Sequence, residues 1–214
     1  MIMALDFIQS DEPAKAEEVW NHVATLFAEC AGFNLAQLVS VDQEFQVRKR
    51  FALASLCTWS SAETWISARD RARKDANVVS VLSEGGAKFT GYTLSLVDGN
   101  EYAFSDDAER CILLDVIYLQ PERADGYARM WSGCNAFMST QPGYINASLY
   151  KNHADSDEVK FVNVAEWRSA GDLVNAARTE RFNEIVQDFK DDYALYFSHR
   201  IALKRCILRD EVVA

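Results

Sequence analysis

Lys160-Phe161-Val162-Asn163-Val164-Ala165-Glu166-Trp167-Arg168-Ser169-Ala170 reads as an apolar strand that runs into a tryptophan and then a small polar residue fit to cap a helix. The ending occurs twice. Trp59-Ser60-Ser61-Ala62 stands 108 residues earlier, and that offset holds without a gap as far as Phe89 and Phe197. Upstream, Leu5-Asp6-Phe7-Ile8 aligns with Leu114-Asp115-Val116-Ile117, and Trp20 aligns with Trp131. In both copies an aromatic follows 13 residues after that tryptophan, as Gly32-Phe33 and Gly143-Tyr144. The offset varies only between 108 and 111, and the changes fall where loops tolerate insertion. A collinear series of this kind marks a duplicated unit of about 100 residues.

Each copy predicts the same elements. The first has a strand at Ile2–Ile8 and a helix opened by Pro13, with Val19, Val23, Leu26, Phe27 and Cys30 at helical spacing and Gly32 closing it. Strands Phe33–Val41 and Phe51–Thr58 follow, joined by the charged turn Asp42–Arg50. Ser60 or Ser61 caps a helix Ala62–Leu82 that ends at Gly85-Gly86, and Lys88–Val97 closes the unit. The second copy predicts strand Cys111–Leu119, helix Glu122–Ser139, strands Tyr144–Lys151 and Val159–Trp167, helix Ala170–Lys190 and strand Ala194–Cys206. The expectation is βαββαβ twice, an α+β fold of two ferredoxin-like repeats at 1–97 and 110–214 joined by the acidic connector 98–109. One such unit leaves a sheet face bare. Two can bury those faces together, so an intramolecular α/β barrel is expected, a pseudo-dimer within one chain that leaves a further homodimer open.

The 214 residues are 49% apolar, with three Pro and nine Gly, as in a soluble globular protein rather than a disordered chain. No apolar run approaches the ~18 residues of a membrane span, and Met1–Asp6 lacks the basic start of a signal peptide. A net charge of −10 argues against non-specific binding to nucleic acid or anionic membrane. Two basic clusters, Arg48-Lys49-Arg50 and Arg69, Arg71, Arg73, Lys74, read as solvated faces or as a local anion-recruiting patch. The five cysteines are scattered without a C-x-x-C pair, so reduced thiols in a cytoplasmic protein are expected, with no metal centre.

The paired βαββαβ units, the strand-to-helix segment around Trp167 and the Pro142-Gly143-Tyr144 turn together resemble the antibiotic biosynthesis monooxygenase branch of the dimeric α/β-barrel superfamily. The resemblance covers nearly the whole chain and implies fold more strongly than function, because that scaffold carries both enzymes and binding proteins. It implies a cofactor-free oxygenase acting on a small aromatic, anthrone-like or quinol-like molecule, in which an Asn four residues before the strand-end Trp lines the pocket. Asn163 and Trp167 have that spacing, whereas the first copy has Ser55 with Trp59. Activity is therefore expected in the second repeat. Haem-degrading relatives use a histidine on the second helix, and here the histidines are His22, His153 and His199, all elsewhere.

Phe161, Asn163, Ala165 and Trp167 share one strand face by the two-residue period. Asn163 either holds a phenol or developing oxyanion or bonds to nearby backbone, and Trp167 either packs a substrate ring or anchors the core. His199 is a candidate base or a satisfied strand histidine. Trp131, Tyr144, Phe161 and Leu173 are the expected substrate-binding side chains, although Phe33 in the place of Tyr144 also fits plain core packing. Asn135 and Asn146 are further polar candidates, and His153, Asp155, Asp157 and Glu158 read as a solvated hairpin. The alternative to an enzyme is a non-catalytic small-molecule-binding or stress-response barrel. An open apolar cavity favours the enzyme and a filled core favours the alternative.

Overall fold

The computed structural model describes residues 1–84, 86–100, 107–154 and 158–207. Most of the expected connector, the hairpin residues 155–157 and Gly85 lie outside the described residues. The chain divides into two units: Met1–Ser40, Phe51–Thr93 and the chain from Ile201 in one, and Val41–Arg50 with Leu94–Arg200 in the other.

In the first unit, β1 (Ile2–Gln9) runs antiparallel to β3 (Leu53–Trp59), which pairs on its other edge with β2 (Phe33–Phe45). Helix α1 (Pro13–Ala28) opens on its proline and buries Ala16, Val19, Trp20 and Ala24. The expected long helix is two, α2 (Ala62–Ala72) and α3 (Ala76–Glu84). The break has a physical cause: the Asp75 carboxylate accepts from the backbone N–H groups of Asn77 and Val78, which starts a new helix. Ser61 caps α2, its hydroxyl accepting from the Thr64 N–H. β4 (Lys88–Gly99) begins in this unit. Trp59 is fully buried in a cluster with Trp20, Phe33 and Trp65.

The second unit repeats the plan. β5 (Cys111–Tyr118) lies between β7 (Val159–Trp167) and β8 (Tyr193–Arg205); β7 pairs with β6 (Tyr144–Asn152), and β6 pairs with the end of β4. Helix α4 (Ala124–Met138) is preceded by a 3-10 turn at Pro121–Arg123. Here too the second helix is divided, into α5 (Ala170–Ala177) and α6 (Glu180–Val186), because the Thr179 hydroxyl caps the Phe182 N–H. Ser169 caps α5, as Ser61 caps α2.

The turns match as closely as the elements. Gly32 and Gly143 both have positive φ, +81° and +84°, and the carbonyl of each accepts from the first backbone N–H after the strand-end tryptophan. A Cβ at Gly32 would lie 2.5 Å from Ser60 Oγ, and one at Gly143 2.5 Å from the Asp172 side chain, so glycine is required twice over. Arg48 lies over the Tyr118 ring and pairs with Glu158 at 3.0 Å, while Arg50 is 3.8 Å from Glu44. That basic cluster is thus engaged within the fold. Among the described residues no helix is long and apolar enough to cross a membrane.

Candidate active site

The β5–β7 register sets Asp115 directly opposite Asn163. Both strands turn this face toward α4, and between them lies a cavity of about 600 Å³, the size of a small-molecule pocket. Apolar side chains make most of its wall, including Met130, Trp131, Leu173 and Phe182. The strongly polar side chains are Asp115, Asn163, Asn135, Gln43, Arg178 and Asn183, and Tyr127, Tyr144, Tyr193 and Cys134 also line it.

The Trp131 indole N–H donates to Asn163 Oδ1 at 3.1 Å. An indole nitrogen can only donate, so the amide oxygen is fixed toward it. Asn163 Nδ2 is left as a donor that forms no hydrogen bond among the described residues. Asp115 Oδ1 is enclosed and has no hydrogen-bond partner among the described residues. Burial alone pushes this carboxyl up to about 8. At neutral pH it is therefore mostly the acid, and modest stabilisation of its anion would turn it into a base.

Of the residues expected from sequence, Asn163, Trp167, Trp131, Tyr144 and Leu173 all line this cavity. Tyr144 stands edge-on to Trp167, with centroids 5.4 Å apart, and donates its hydroxyl to Asn135 Oδ1 at 2.8 Å. Phe161 lies behind the wall, stacked on Tyr127, which does face the cavity. His199 stands apart. It shares a strand face with Leu195 and Phe197, which reach the wall, but lies one step farther along, with Nδ1 2.7 Å from Asp42 Oδ2 and the imidazole half exposed. Asp42 holds the ring away from the pocket. The residue that sequence reading missed is Asp115, although an acid inside the apolar run Cys111–Tyr118 was a visible signal. No histidine lines the cavity, and no three described His, Cys, Asp or Glu side chains gather as metal ligands would.

The strand, the cap and most of the cavity wall come from one stretch of the second unit, with Gln43, Phe45, Tyr193, Leu195 and Phe197 added from outside it. Residues 112–188 match the antibiotic biosynthesis monooxygenase family. The solved structure of an anthrone oxidase-like protein superposes with a TM-score of 0.76 at 10% identity, covering 100% of this chain and 96% of that one. A ferredoxin-fold protein from Listeria monocytogenes, related to antibiotic biosynthesis monooxygenases, gives 0.52 at 14% identity over 94% and 96%. A regulator of staphylococcal pathogenesis gives 0.56 at 5% identity over 94% and 99%. These likenesses extend over nearly the whole chain and show the fold, that of tandem ferredoxin-like units; the matched domain occupies the second unit. No curated protein sequence matches the chain.

Proposed function

We propose that the second unit is a cofactor-independent monooxygenase whose substrate is a phenolic polycycle of anthrone or quinol type. The observation that carries the reading is the unpaired Asp115 carboxyl opposite the free Asn163 amide N–H, at the wall of an apolar cavity large enough for fused rings. Trp167, Trp131 and Tyr144 pack the ring system. The matched family and the anthrone oxidase-like neighbour support the same chemistry.

The steps follow from those groups. Asp115, as carboxylate, takes a proton from the activated carbon or phenol, and Asn163 Nδ2 donates to the oxygen on which negative charge develops. The resulting electron-rich anion gives one electron to dioxygen, the two radicals combine at carbon, and the peroxide takes up a proton. For an anthrone, loss of water from that hydroperoxide turns the ring methylene into a carbonyl, so one dioxygen yields one quinone and one water. The apolar, aromatic wall favours this sequence by displacing water from one side of the anion. The reading includes a cytoplasmic setting, supported by five cysteines that are all free thiols.

Asn163→Ala tests the assignment. It removes the amide donor opposite Asp115, and kcat should fall about tenfold to a thousandfold with a small change in KM. An unchanged kcat would show that the amide serves packing alone.

A further inference from the structure

The first unit has its own cavity, about 270 Å³ in volume, beside β1, β3 and α2. We propose that it is a second binding site, for a single-ring phenol bearing a carboxylate, with the hydroxyl on Asp6 and the carboxylate on Arg69 and Arg73. The site is independent of any oxygenation in the second unit.

The volume exceeds the ~150 Å³ that encloses one benzene, so it has room for a single ring carrying two small substituents. Trp20, Phe27 and Trp65 supply flat apolar walls. Asp6 lies opposite Ser55 in the β1–β3 register, and the Ser55 hydroxyl is taken by the Trp20 indole N–H at 2.8 Å. The Asp6 carboxyl has no hydrogen-bond partner among the described residues. Burial raises it to about 6, which leaves it largely ionised at neutral pH as an acceptor for a ligand hydroxyl.

The cationic side of the cavity is built differently. Arg69 Nε is enclosed without a hydrogen-bond partner among the described residues, while the rest of its side chain reaches solvent. The acid near it is Asp70, whose Oδ1 is 3.8 Å from Arg69 Nε and 3.9 Å from Arg73 Nη1. One carboxylate is thus shared by two guanidinium groups that both line the cavity. A ligand carboxylate adds a second acceptor for them. In the second copy the position of Arg69 is Ala177 and that of Arg73 is Arg181, so the Arg69 part of this recognition is particular to the first unit. The basic run noted in the sequence thereby acquires a local anion-binding role.

Calorimetric titration of the whole protein with para-hydroxybenzoate tests the site. One equivalent should bind per chain, and the double variant Arg69→Gln/Arg73→Gln should weaken it on the order of tenfold. Para-cresol, which keeps the hydroxyl but lacks the carboxylate, should bind the double variant as well as it binds the native protein. Leu173→Trp, which narrows the other cavity, should leave the para-hydroxybenzoate titration unchanged. Absence of binding to the native protein, equal affinity in the arginine variant, or loss caused by Leu173→Trp would each overturn the proposal.

Discussion

Asp115 is held in a form its own chemistry disfavours, and that makes it the most informative single residue. Burial pushes its carboxyl up to about 8, so the fraction able to act as base grows through the neutral range. The proposed chemistry therefore predicts that kcat/KM rises with pH and levels off above about 8, and that Asp115→Asn removes this limb. A profile unchanged by the substitution would remove Asp115 from the reaction. The same shift has a consequence for stability. An acid raised above its unfolded value binds its proton more tightly in the folded state, so its contribution is greatest below about 4 and declines as pH rises towards about 8. Asp115→Asn should accordingly gain thermal stability relative to the native protein at the alkaline end, and thermal melts at several pH values would show it. Little of this was legible from sequence. Asp115 served there as one letter of a repeat, because its importance depends on the partner strand's register and on a missing hydrogen bond.

Strands and turns were read closely from the chain, and helices less so. Val159–Trp167 is found as expected, since alternation and a terminal tryptophan define it locally. The divided second helices were invisible to periodicity because the apolar pattern continues across each break. Asp75 and Thr179 end one helix and start the next through side-chain bonds to backbone N–H groups, a competition that hydrophobic spacing does not register. In the second unit that break places Arg178 and Asn183 on the cavity wall. The Gly143 turn makes a sharper prediction. Gly143→Ala must place a Cβ 2.5 Å from Asp172 at positive φ, so it should cost about 1–2 kcal/mol or more and shift Tyr144 at the start of β6. Chemical denaturation would measure the loss; an unaltered midpoint would mean that the turn relaxes freely.

At the scale of the molecule, duplication has given two units with one plan and different interiors. Each keeps an acid on its first strand, a helix tryptophan bonded to the third strand and a buried strand-end tryptophan. They part at Ser55 against Asn163 and at Trp65 against Leu173, and the sequence displayed those differences but not the cavities they leave. Leu173→Trp copies the first unit's residue into the second. It should fill part of the larger cavity and raise KM for a fused-ring substrate at least several-fold while the protein stays folded, as steady-state kinetics and circular dichroism would report. The central claim is oxygenation in the second unit by protein groups alone. Oxygen-electrode traces with a dihydroxyanthrone and chelator-treated protein test it most directly. The expected result is uptake well above the spontaneous rate, one dioxygen consumed per quinone formed, and loss of that excess in Asn163→Ala. Uptake no faster than the spontaneous reaction, or an excess that disappears with chelator, would contradict it.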